Sequence, residues 1–153
     1  MTFWDKLLSN EVLICSVAGW IVAQVLKTII DFAINKDFSV ERLVGSGGMP
    51  SSHSATVCSL TTAAGLCYGI GSFQFAISFV LASVVMYDAI GVRQETGKQA
   101  KLLNLIMEQD LFKMNNQQIQ ERLKEFVGHT PLQVLAGAIL GIGLTLMIHQ
   151  HYL

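Results

Sequence analysis

The chain has 153 residues, of which 52% are hydrophobic and 14% charged, with a net charge of −1 and a mean hydropathy of +0.49. Soluble domains carry about 25% charged residues, so this composition points to a single multi-spanning membrane domain over 1–153 and argues against bulk attraction to nucleic acid. Cys15, Cys58 and Cys67 all fall in apolar runs without metal-ligand spacing. That pattern predicts small buried hydrophobes, not a disulfide framework or a zinc site, and no cofactor is expected.

At the N-terminus Lys6 is offset by Asp5 and Glu11, and the apolar run from Val12 continues without a clear cleavage site. The run therefore reads as a retained span, not a signal peptide. Crossing a bilayer takes about 20 mostly apolar residues, which places the first span at about 11–34. It contains Lys27 and Asp31. Ionisable groups inside a span are costly and point to function, although an i, i+4 pair or a snorkelling lysine would also account for them.

Next comes "GSGGMPSSHSA", residues 45–55, running straight into a second span at about 54–70. A helix N-terminus offers free N–H groups and partial positive charge, a ready anion site. Gly45, Gly47 and Gly48 let backbone amides turn toward a ligand, while Ser51, Ser52 and Ser54 supply hydroxyls or cap the helix. His53 is placed to protonate a leaving oxygen. The plainer alternative is a serine-capped helix behind a flexible entry loop.

Gly69-Ile70-Gly71-Ser72 makes a tight connection to a third span at about 73–92, which ends in "MYDAIGVRQ". Asp88 is there a candidate partner for Arg93 or Lys27. From about Gln99 to Val127 the chain is long and mixed, and near-helical spacing of Leu and Ile predicts one or two amphipathic helices at the interface. The segment "GHTPLQV" then opens a fourth span at about 132–148. Pro131 suits a first helical turn, and Thr130 with Gln133 matches a capping box. His129, just ahead of a helix N-terminus, tends to stay neutral, leaving a ring nitrogen free as nucleophile or base.

The expected architecture is thus an all-α integral membrane bundle of about four spans plus amphipathic helices in the third loop. An even number of spans puts the loop after the first and the loop after the third on the same face. Arg42, His53, Arg93, Lys98, Lys101 and His129 would gather there. These two loops hold eight of the Lys and Arg residues, against Lys6 alone on the other face. The positive-inside rule puts the site face in the cytoplasm of a multi-pass cell-membrane protein.

"GGMPSSHSA", "YDAIGVRQETGKQAKLLN" and "GHTPLQVLAG", in that order, resemble the divergent branch of the type-2 phosphatidic acid phosphatase family, which is related to bacterial acid phosphatases and vanadium-dependent haloperoxidases. The parent family uses a Lys, six intervening residues and then Arg-Pro, then Pro-Ser-Gly-His, then Ser-Arg with a His and an Asp beyond. The resemblance implies that Lys27, Arg42 and Arg93 bind phosphate with the amides of Gly47 and Gly48 and the hydroxyls of Ser51 and Ser52. It implies that His53 protonates the leaving group and His129 attacks phosphorus, without a metal, with Asp88, Lys98 and Gln133 in support. Several positions depart from the pattern. Ser52 replaces the glycine, Arg42 has no following proline, and Arg93 stands 36 positions before His129. Gln133 replaces the aspartate, and an amide cannot stabilise an imidazolium by charge. Four spans are fewer than the usual six, which leaves room for a second copy of the chain, a homo-oligomer, to close the pocket.

The reading that follows is a membrane phosphatase acting on a lipid phosphate or pyrophosphate. A catalytically silent phosphate- or headgroup-binding membrane protein, as a transporter component or regulator, is the alternative. A vanadate-dependent peroxidase and a purely structural bundle fit less well. The first suits so small a membrane chain poorly, and the second gives no reason for two histidines and two arginines on one face.

Overall fold

The computed structural model describes residues 2–36, 48–108 and 129–151. Arg42, Gly45, Gly47 and the greater part of the long third loop lie outside the described residues. Six helices form, with no strand among the described residues: α1 Phe3–Leu8, α2 Glu11–Asn35, α3 Ser52–Tyr68, α4 Phe73–Ile90, α5 Val92–Glu108 and α6 Pro131–His149. Together they make a helical membrane bundle.

Local chemistry sets the boundaries. Asn10, Ser51, Ser72 and Thr130 are N-caps, each accepting a hydrogen bond from a backbone N–H of the first turn. Such caps satisfy donors that the helix itself leaves free. The capping box expected at Thr130 and Gln133 is present, with Pro131 in the first turn. Gly69, at a φ of 82°, ends α3 in a conformation that costs a side-chain-bearing residue dearly. The short α1 was not foreseen, although Thr2 and Asp5 form a capping box of their own.

Three helical segments are long and apolar enough to cross a membrane: Glu11–Ile34, Phe73–Ile106 and Pro131–His149. Their large apolar side chains point outward, among them Trp20, Ile21, Val25, Val80, Ile139 and Leu146. In a bilayer such a surface is the lipid face, where helices satisfy every backbone polar group internally. The span expected at 54–70 is α3, with 17 residues and many Ser, Thr and Ala. It is shorter and more polar than the three apolar segments, and it lies among the other helices. α3 packs against α2, α4 and α6, while α2 also meets α6.

Small residues let those helices approach. A Cβ on Gly137 would collide with the Ser51 carbonyl, one on Gly141 with the Ala55 carbonyl, and one on Gly19 with the Ser59 hydroxyl. Close backbone approach of this kind drives helix association where lipid offers no hydrophobic force. Hydrogen bonds cross the same contacts. Ser59 Oγ donates to the Gly141 carbonyl at 3.1 Å, Thr145 Oγ1 to the Ser59 carbonyl at 3.4 Å, and Thr61 Oγ1 to the Ser78 carbonyl at 3.0 Å. Bonds between membrane helices average about 0.6 kcal/mol each.

Two expectations change in detail. The third span, expected at about 73–92, is divided at Gly91: α4 ends at Ile90 and α5 starts at Val92, within a segment apolar enough to cross that runs on to Ile106. The amphipathic helix thus begins seven residues before the expected 99, and it buries Gly97, Ala100 and Asn104 on one face. The cysteines also divide. Cys15 and Cys58 are buried as expected, but Cys67, near the exposed end of α3, is not.

Candidate functional site

Two helix N-termini and one helix C-terminus meet at one end of the bundle. The Ser51 N–H donates to the Gln133 carbonyl at 3.1 Å, joining the start of α3 to the first turn of α6. The His129 N–H donates to the Ala89 carbonyl at 3.0 Å. That carbonyl is among the last four of α4, which have no partner within their own helix. Backbone hydrogen bonds alone thus bring His129, the His53 turn and the end of α4 together.

The rings of His53 and His129 lie with centroids 6.4 Å apart and planes inclined at 52°. They face a cavity of about 200 Å³ lined by His53, Val84, Val85, Asp88, Ala89, Arg93 and His129. His129 is buried, whereas His53 keeps an exposed edge. Arg93 Nε pairs with Asp88 Oδ2 at 2.5 Å, settling which of its two candidate partners Asp88 takes.

The hydrogen bonds around Gln133 fix the tautomer of His129. The Thr130 N–H can only donate, so the Gln133 atom 3.0 Å away is the carbonyl oxygen Oε1. That same oxygen stands 3.3 Å from His129 Nδ1. Nδ1 must therefore carry the proton, and Nε2 keeps its lone pair. Gln133 does two tasks with one atom, capping α6 and holding the imidazole.

Both histidines titrate below the ordinary value of 6.5. For His53 the main cause is withdrawal from solvent, to which the charges of Arg93 and Lys27 add, against a smaller opposing effect of Asp88. For His129 burial again leads, opposed by the Gln133 hydrogen bond and reinforced by His53, Lys27 and Arg93. Both shifts favour the uncharged rings.

The other expected residues take varied places. Lys27 is buried in α2, and its methylenes pass beside Gly48, which has a φ of 84°. Its charge acts on both histidines, although it does not line the cavity. The Ser51 hydroxyl is fully buried and occupied in capping, accepting from the Ser54 N–H at 3.3 Å and the Ser54 hydroxyl at 3.0 Å. Ser52 is buried in the first turn of α3, away from the cavity wall. Lys98 pairs with Glu95 at 2.6 Å on the exposed side of α5 and is not brought to the cavity. What the sequence reading overlooked is the apolar wall of Val84, Val85 and Ala89. Their spacing with Asp88 along α4 carries the signal, since residues three or four apart share a helix face.

Residues 8–144 match the family described as the "Divergent PAP2 family". The "Uncharacterized membrane protein YuiD" of Bacillus subtilis (strain 168) is 37% identical over 157 residues, covering 97% of this chain and 99% of that protein. No solved structure matches the chain. A match that runs from before the first span through most of α6 takes in every element bearing the cavity, and the chain belongs to the divergent PAP2 family.

Proposed function

We propose that this membrane protein hydrolyses a lipid phosphate or pyrophosphate through a phosphohistidine on His129. His129 Nε2 attacks phosphorus as the bond to the leaving oxygen breaks, and His53 gives that oxygen its proton. Water then cleaves the phosphohistidine, with His53 as base. Arg93 and Lys27 neutralise the charge on the transferring group, a task shared with Arg42 and the amides of Gly47 and Gly48. The reading needs no metal ion. The observation that carries it is the fixed tautomer of His129, whose open nitrogen shares a cavity with His53 and Arg93.

The cavity's size and walls favour a lipid. At about 200 Å³ it is smaller than the roughly 300–1,000 Å³ pockets that enclose drug-sized ligands. It suits a phosphate headgroup whose acyl chains stay in the bilayer beside Val84 and Val85. The excess of Lys and Arg on the site's side supports a cavity that opens to the cytoplasm.

One observation favours the silent binding protein instead. Gln133 offers His129 an amide oxygen where a carboxylate would stabilise the imidazolium by charge. Phosphate release decides between the two, measured with purified protein in detergent on a panel of lipid phosphates and diphosphates. Release that vanadate inhibits, and that His129→Ala and His53→Ala abolish, is the expected result. No release from any substrate, with phosphate still bound by the folded protein, would establish the binder.

A further inference from the structure

The end of the bundle opposite the histidine pair gathers a second set of chemical groups. Glu11 is the first residue of α2, Cys67 the next to last of α3 and His149 the last of α6. A Glu11 carboxylate oxygen, Cys67 Sγ and a ring nitrogen of His149 all lie within 4.8 Å of one another. His149 Nδ1 already stands 2.5 Å from Glu11 Oε1, although the two residues are 138 positions apart. Glu11 and His149 are mostly shielded, while Cys67 is open to solvent.

The bundle holds these three donors in place. Gly19 of α2 and Gly141 of α6 both press against Ser59 of α3, with Ser59 Oγ donating to the Gly141 carbonyl. Gly19, Ser59 and Gly141 each stand eight positions from the donor on their own helix. At 1.5 Å per residue, each donor is about 12 Å along its helix from one shared crossing point. Three helices clamped so closely at one level have little freedom two turns away. The convergence is therefore a property of the bundle, not of three mobile side chains.

We propose that Glu11, Cys67 and His149 form a binding site for a divalent transition-metal ion of the zinc type. The donor set selects the class. Thiolate and imidazole suit zinc and its first-row neighbours, whereas magnesium and calcium take oxygen ligands. Zinc bonds of about 2.0–2.3 Å place tetrahedral ligand atoms roughly 3.3–3.8 Å apart. A side-chain adjustment of about 1 Å brings the present spread to that spacing. Three protein ligands leave a fourth position for water, and the exposed Cys67 marks the way in. The ion would tie the ends of α2, α3 and α6 together about 27 Å from the His129 end of α6. It is thus independent of the proposed phosphatase chemistry.

The test uses the full chain in detergent, stripped with a chelator and titrated with Co²⁺, then competed with Zn²⁺. One equivalent of Co²⁺ should bind with a sulfur-to-metal charge-transfer band and the visible bands of a four-coordinate ion. Cys67→Ser should remove the charge-transfer band, and Glu11→Gln and His149→Gln should each weaken binding at least tenfold. Cys58→Ala should change nothing. Zn²⁺ should raise the Tm of the wild type but not of Cys67→Ser, whose exposed side chain makes the substitution tolerable to the fold. Absence of the charge-transfer band in the wild type, or unchanged affinity and spectrum in Cys67→Ser, would overturn the proposal. Either result would leave a Glu11–His149 hydrogen bond with a thiol merely beside it.

Discussion

Replacing Gly137 by alanine places a methyl group where α3 and α6 touch through their backbones. The new Cβ would fall inside contact distance of the Ser51 carbonyl oxygen, 3.0 Å from Ser54 Cβ and 3.2 Å from the Ser51 carbonyl carbon. None of these atoms is the end of a flexible side chain, so the helices themselves must separate. Overpacking of this kind costs about 1–3 kcal/mol. Separation also stretches the bond from the Ser51 N–H to the Gln133 carbonyl, a further loss of about 0.5–1.5 kcal/mol. A total of about 2–4 kcal/mol is large beside the roughly 5–15 kcal/mol that holds a typical protein folded. Gly143 provides the control on the same helix, since a Cβ there meets nothing within 4 Å. Gly143→Ala should be neutral or stabilising by up to about 1 kcal/mol, from helix propensity. Unfolding in mixed micelles, followed by circular dichroism, would compare the two variants with wild type. Equal stability of Gly137→Ala and Gly143→Ala would refute the close-contact account of the α3–α6 crossing.

The remaining predictions concern the cavity. Catalysis as proposed needs His53 protonated and His129 neutral, and both titrate below 6.5. The pH profile of kcat/KM should therefore peak below 6.5 and fall as pH rises through neutrality, and a peak above pH 7.5 would contradict the assignment. The same shifts act on stability: in acid the unfolded chain takes up protons near 6.5 before the folded one does. Stability is thus full above that value and should be lost as pH falls through the folded pKa values, a loss that Tm against pH would register. Gln133→Glu keeps the capping box while giving His129 an anionic acceptor. It should leave Tm near the wild-type value and raise phosphate release on the order of tenfold, because a charge-assisted hydrogen bond is stronger by about 1 kcal/mol. Arg93→Ala should cost kcat/KM about a hundredfold or more, as removal of a transition-state donor does. Lys98→Ala breaks only an exposed pair and should stay within about twofold of wild type. Equal losses in the two variants would mean that the cavity is not where phosphate binds.

How far the sequence reveals this protein depends on the range over which each signal acts. Helices α2, α4 and α6 follow from run length, a local property set by the bilayer. The capping box at Thr130 and Gln133 is equally local, as is the arrival of His53 and His129 at helix N-termini. The break at Gly91 was hidden because "MYDAIGVRQETGKQ" favours helix on either side of the glycine. The stripe of Ser51, Ala55 and Ser59 against Gly137 and Gly141 was in plain view as small residues four apart, but nothing local says which helices they join. Glu11, Cys67 and His149 were less visible still. Each looks ordinary alone, Glu11 as a first-turn acid and Cys67 as an apolar filler, and only the packing of three helices makes them neighbours.

The electrostatics of the cavity favour the neutral form of both histidines. The N-termini of α3 and α6 both end there, each presenting partial positive charge. Arg93 and Lys27 add to it, and the carboxylate of Asp88 is paired with Arg93. A proton on either ring would join an already positive field in a partly desolvated place, so both rings shed it. In the proposed reaction an arriving phosphate would offset that field. Its negative charge favours protonation of His53, while the Gln133 oxygen keeps the proton of His129 on Nδ1, away from the open nitrogen. In the proposed reaction the substrate thus charges its own general acid without disarming the nucleophile. Two histidines that share one cavity can then take opposite roles, because His129, among the described residues, has in Gln133 a partner for its Nδ1 that His53 lacks.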